Sequence, residues 1–157
     1  MGITLADFDL ALGKPAVDPA TRGLLAALGC FGAVELEGSV DEGFEPTRYV
    51  VIGDRGIIFV FELPGETPAS KDNEALLALK TVQLYPLSPQ NGITVAYAGE
   101  LPAGLSFADT PDDARRKLGP PTRSTPGLDV WKVDGHRITA EYDAERTRIR
   151  LVQYRRA

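Results

Sequence analysis

Few side chains in this sequence are of a kind that does chemistry, and their spacing limits what each can do. Cys30 is the only cysteine and His136 the only histidine, so no short-spaced His/Cys set is present for a metal ion. As thiol and base the two would form a nucleophilic pair only if the fold joined distant parts of the chain. Ser106, His136 and Asp134 compose a Ser-His-Asp set on paper, but no strand-turn nucleophile motif surrounds Ser106, which reads as turn chemistry. His136 stands beside Asp134-Gly135, in phase with Ile138, as a hairpin histidine would. Gly53-Asp54-Arg55-Gly56 separates two apolar runs rather than a strand and a helix, so it is expected to be a hairpin turn, not a phosphate cradle. Asp112-Asp113 fall in the first turn of a helix, where the dipole favours acids. No catalytic residue, metal or cofactor is therefore expected, and the chain reads as a non-enzyme.

Charge is more informative. Residues 1–100 carry 14 acids and 6 bases, and residues 101–157 carry 8 acids and 11 bases. Glu35, Glu37, Asp41, Glu42 and Glu45 fall in one glycine-containing stretch with no base between Phe31 and Thr47, and Phe44 lies among them. Such a stretch is suited to steering a basic partner, with Phe44 as the apolar anchor. A second candidate surface is basic: Arg137, Arg148 and Arg150 at alternating positions, with Tyr154 further along the last strand.

The elements that must position these residues are punctuated clearly. Around Asp7 a short helical segment runs through Phe8 and Leu12 and stops at Gly13. Asp18 caps a helix that starts at Pro19, turns Leu24, Leu25 and Leu28 inward and ends at Gly29. Thr110-Pro111-Asp112-Asp113 reads as cap, first-turn proline and capping-box acid, with the stop at Leu118-Gly119. Elsewhere the period is two, predicting strands at 48–52, 57–63, 80–85, 129–133, 137–142 and 148–154. Asp134-Gly135 is a two-residue hairpin signal.

The parts echo one another. Thr4-Leu5-Ala6-Asp7 and Leu12-Gly13-Lys14-Pro15 recur as Ser106-Phe107-Ala108-Asp109 and Leu118-Gly119-Pro120-Pro121, and Val82-Gln83-Leu84-Tyr85 recurs as Val152-Gln153-Tyr154. The expectation is one α+β domain of two tandem units, each short helices followed by a three-stranded antiparallel meander. Unit one covers about 1–85, a linker 86–102, and unit two 103–157.

On these motifs, with Gly104 to Thr110, Trp131 and Ile138 to Tyr142, the chain resembles a group of small bacterial proteins associated with polymorphic and contact-delivered toxins. The helix-then-Leu-Gly-x-Pro unit is also similar to the helix-plus-meander repeats of β-lactamase inhibitor proteins and of small outer-membrane assembly lipoproteins. The resemblance implies an immunity protein that binds a cognate toxin, basic and nuclease-like ones included, and occludes its active site. The alternative, from another class, is a non-catalytic ligand-binding or regulatory module with a pocket between helices and sheet.

Composition sets the outer limits. Of 157 residues 43% are apolar and 25% charged, which suits a folded domain and excludes disorder, collagen and coiled coil. The net charge of −5 argues against general nucleic-acid binding. No run is long and apolar enough for a membrane span. Leu24 to Cys30 mimics a lipoprotein cleavage site, but Asp7, Asp9, Lys14, Asp18 and Arg22 interrupt what would have to be an apolar leader. A cytoplasmic protein, monomeric or a weak homodimer, is expected.

Overall fold

The computed structural model describes residues 2–32, 34 and 46–157. Three helices, α1 (Leu5–Ala11), α2 (Pro19–Ala27) and α3 (Pro111–Leu118), accompany seven strands among these residues. The strands are β1 (Thr47–Ile52), β2 (Ile57–Glu62), β3 (Ala78–Leu84), β4 (Arg123–Thr125), β5 (Leu128–Val133), β6 (His136–Tyr142) and β7 (Ile149–Arg156). No helix among them is long and apolar enough to cross a membrane.

The helix starts follow from the side chains that satisfy their orphan amides. Thr4 and Asp7 form a capping box on α1, Thr110 and Asp113 another on α3, and Asp18 accepts from the Ala20 amide at the head of α2. The echo motif Ser106 to Asp109 keeps the same local bond, the Ser106 amide donating to Asp109 Oδ2 at 2.9 Å, as Thr4 donates to Asp7 at 2.8 Å. After Ser106 the result is a single turn, and the chain starts again at the Thr110 cap.

The α+β class holds, but the architecture is not two separate three-stranded meanders. All seven strands form one antiparallel sheet in the order β1-β2-β3-β7-β6-β5-β4. The C-terminal part contributes four strands, because Arg123–Thr125 pairs with β5. The last strands of the two parts meet at the centre through Val82↔Tyr154, Gln83↔Gln153 and Leu84↔Val152, so the two echoing segments are each other's partners. At Asp134-Gly135 both residues take positive φ (48° and 79°), the two-residue hairpin geometry that matches strand twist.

The helices lie on one face. Phe8 of α1 meets Phe59 edge to face at 6.1 Å, and Leu24, Leu25 and Ala114 join Phe61, Val82, Ile138 and Trp131 in one core. The Trp131 indole N–H donates to the Gly119 carbonyl at 2.9 Å, which fixes the end of α3 over β5. Residues 86–102, expected to be a linker, are packed instead. Ile93 is fully buried against Ile58, Tyr85 and Leu151 on the far face, while Tyr97 reaches the helix-side core.

That packing explains the glycines at the β1–β2 turn. A Cβ at Gly56 (φ +71°) would run into the main chain of Ala96 and Tyr97, and one at Gly53 into the Gly92 carbonyl. Gly135 has the same left-handed conformation (φ +79°) and open space around it. Gly135→Ala is expected to cost about 1 kcal/mol, the conformational term alone. Gly56→Ala should cost about 3 kcal/mol or more. Urea unfolding of both variants measures the difference, and equal losses would show that 96–97 does not press on the turn.

Candidate functional site

Side chains in phase with Phe59, Val82, Ile138 and Trp131 enter the core, and those out of phase stand on the other face of the sheet, which among the described residues carries no α-helix, only a short 3-10 turn at Pro89–Asn91. At one end of that open face Tyr49 and Val51 of β1 are 53% and 49% exposed, opposite Val60 and Ile58. In the middle Gln83 faces Gln153, with Thr139 beside it. At the far end Lys132, Arg137 and Arg155 stand in one cross-strand row. Part of the face is covered by 88–93, whose Ser88, Gln90 and Asn91 border a recess of about 180 Å³ with Tyr85, Glu141 and Arg150. Burial there pushes the Tyr85 phenol above its ordinary value, and nearby Glu141 adds to it.

The acidic set Glu35, Glu37, Asp41, Glu42, Phe44 and Glu45 lies outside the described residues. The basic set is not one stripe. Arg137 is exposed on the open face. Arg148 sits in the β6–β7 turn, its Nε 3.6 Å from Asp143 Oδ2. Tyr154 points the opposite way, into the core, and its hydroxyl donates to Asp9 Oδ1 at 2.8 Å. The cause is a bulge: Glu141 pairs with Leu151 and Tyr142 with Ile149, so Arg150 is an extra residue and the alternation slips there. The member that joins Arg137 is Arg155, which simple alternation from Arg148 leaves out.

Among the described residues the neighbours of His136 are Asp9, Tyr154 and the Asp134 main chain, rather than Ser106 or Cys30. The His136 ring stacks on Tyr154 with centroids 4.7 Å apart. Its Nδ1 is 3.1 Å from the Asp134 main-chain oxygen, and its Nε2 is 2.8 Å from Asp9 Oδ1. The latter is an ion-pair distance without the alignment of a hydrogen bond. Asp134 thus offers His136 its carbonyl, not its carboxylate. The Ser106 hydroxyl accepts from the Ala108 amide at 3.2 Å, as a turn serine does. Cys30 follows α2 in an apolar groove of about 290 Å³ with Val17, Leu25 and Phe31. Burial and then Asp54 push its thiol up, away from the thiolate form.

Sequence reasoning missed a polar hub. Asp129 is fully buried, in phase with Trp131, and four donors surround its carboxylate. Arg115 binds it through Nε and Nη2, both at 2.9 Å, Ser124 Oγ at 2.6 Å and the Tyr142 hydroxyl at 2.9 Å. Burial alone would raise its pKa, but the bonds from Arg115, Ser124 and Tyr142 together outweigh burial and hold it below the usual carboxylate range. Tyr142 is pushed well up by burial and by that bond. An acid at an inward strand position is the signal that could have found the hub. It ties α3, β4, β5 and β6 together. Beside it Thr110, Asp112, Arg115, Pro126 and Arg146 line an open cavity of about 380 Å³ at the rim rather than between helices and sheet. Comparison of the chain with family models, with curated proteins and with solved structures returns no match.

The hub is asymmetric under mutation. Arg115→Met would leave a buried carboxylate short of its cation and should cost about 3 kcal/mol. Asp129→Asn would leave a half-exposed guanidinium facing an amide and should cost about 1–2 kcal/mol. Because the folded pKa of Asp129 lies below the unfolded value of about 3.9, its contribution is complete above that value and fades as pH falls through the folded one. The stability gap between wild type and Asp129→Asn should therefore be flat between about pH 8 and 5 and shrink below about pH 4. A gap that grew on acidification would contradict the hub.

Proposed function

We propose that this chain is a non-catalytic binding protein of the immunity type, which neutralises a cognate protein toxin by covering its active site. One observation supports the reading: among the described residues α1, α2 and α3 lie on one face of the sheet, and the other face exposes Tyr49 and Val51 on β1 and Lys132 and Arg137 on β5 and β6, on either side of a buried middle at Ile58, Val60 and Leu151. A standard interface buries about 800 Å² on each side, more than the exposed parts of this face offer alone, so a neighbouring segment has to complete it. The acidic stretch 35–45 enters β1 directly in sequence and is the natural addition, with a basic, nuclease-like toxin as its complement. A small-molecule module is supported less well. The space between helices and sheet is filled by Phe8, Phe59, Tyr97 and Trp131, and the cavities named above open at the periphery.

The test is co-purification of the tagged protein with the product of the gene beside its own, together with rescue of cells in which that product alone is toxic. Stable 1:1 binding with rescue is expected. Tyr49→Asp combined with Val51→Lys should weaken binding by at least tenfold, as should reversal of Glu37, Asp41 and Glu42 to lysine. A harmless neighbour that fails to co-purify would sink the immunity reading. Rescue indifferent to both sets of substitutions would remove the open face from it.

A further inference from the structure

Lys132 lies directly opposite Arg137, and Arg137 directly opposite Arg155, so three cations stand side by side across β5, β6 and β7. Like charges facing each other on neighbouring strands destabilise a sheet. Among the described residues none of the three has an ion pair. The chain has acids to spare, 22 against 17 bases, and three of its cations are neutralised, Arg115 on Asp129, Lys117 on Asp109 and Arg116 on Asp113; what sets this row apart is that its unpaired cations face one another. Of the acids on the same face, Glu141 pairs with Leu128 and Leu151, two rows away from Arg137, and Glu62 is on β2, three strands from β6. An uncompensated row in an acidic protein leaves the attraction for a partner to supply.

We infer that this row is a docking point for a carboxylate-bearing protein surface on the partner. The inference rests on the protein-binding reading and deepens it. Cations about 5 Å apart across the strands match carboxylates presented at i and i+4 along a helix. The next row, Thr139 and Gln153, adds neutral hydrogen-bonding groups beside them. A nucleic acid fits less well, because single strands need aromatic platforms and the exposed aromatic of this face, Tyr49, is on β1, four strands from β6. The partner surface is accordingly of mixed charge: acidic against this row and basic against the stretch that enters β1.

The test uses the full chain and two labelled probes, an alanine-rich helical peptide with glutamates at i, i+4 and i+8, and a twelve-nucleotide oligo-dT, read by fluorescence anisotropy at low and physiological salt. The peptide should bind, weaken with salt, and lose at least tenfold in affinity with Arg137→Glu. Arg55→Glu, the same change of charge at the β1–β2 turn, should leave peptide binding within twofold. Arg137→Glu also places an acid between Lys132 and Arg155, so its Tm should be equal to wild type or higher by about 1–3 °C. Equal losses in both variants, tighter binding of oligo-dT than of the peptide, or a lowered Tm for Arg137→Glu would overturn the inference. Failure of the two readings can be told apart. A partner complex that forms equally well with Arg137→Glu refutes the row and leaves the immunity reading standing. Peptide binding at the row without any co-purifying neighbour upholds the row and removes the toxin.

Discussion

The pairing of β3 with β7 is the contact on which the rest of the molecule depends. Val82, Gln83 and Leu84 meet Tyr154, Gln153 and Val152, and through those rows two sets of strands become one sheet. Val82, Leu84, Val152 and Tyr154 then lie under a single core that α1, α2 and α3 share. Without that seam each part would have to bury an apolar face with too few helices above it, and three-stranded pieces of this size are marginal alone. The echo between Val82-Gln83 and Val152-Gln153 thus has a physical meaning, since the repeated residues are opposite one another at the middle of the sheet.

Much of the fold was legible in the residues because local chemistry and tertiary packing agree. Asp18-Pro19 and Thr110/Asp113 mark helix starts that the structure keeps, the helical segment around Asp7 is there with a Thr4/Asp7 capping box that its echo motif did not announce, and Asp134-Gly135 marks a hairpin whose strands alternate as expected. What was not legible has particular causes. β4 is three exposed residues with no apolar alternation to detect. The bulge at Arg150 comes from β6–β7 register, so the phase of Tyr154 could not be read by counting from Arg148. Of the cation row, Lys132 and Arg137 follow from the two-residue turn between them, whereas Arg155 required that same register. The Asp129 hub joins residues from a helix and three strands, and no local spacing brings Arg115 to Asp129.

The two faces divide the work. One is closed by aromatic and aliphatic packing and by a buried carboxylate with four donors around it, and this side sets stability. The other keeps charged, amide and exposed apolar side chains on the same sheet, and a surface held in place this way is the one proposed above to bind, since a rigid support lowers the ordering cost. The basic row lies on β5–β7, whereas the acidic stretch is adjacent to β1 in sequence and outside the described residues.

The segment from Ile93 to Tyr97 passes from one side of the sheet to the other within a few residues, with its ends in different apolar clusters. It also takes the Gly53 carbonyl as acceptor for the Thr94 and Val95 amides. The turn of the β1–β2 hairpin is therefore clasped from both sides, whereas β4, at the opposite edge, is three exposed residues held by its ladder to β5 and by the Ser124 side chain to Arg115 and Asp129. The two borders of the sheet should open on different schedules. Amides near Gly53 and Gly56 exchange with solvent only when the clasp lets go of two clusters at once, while those of β4 exchange by fraying that gives up its ladder to β5 and the Ser124 bonds.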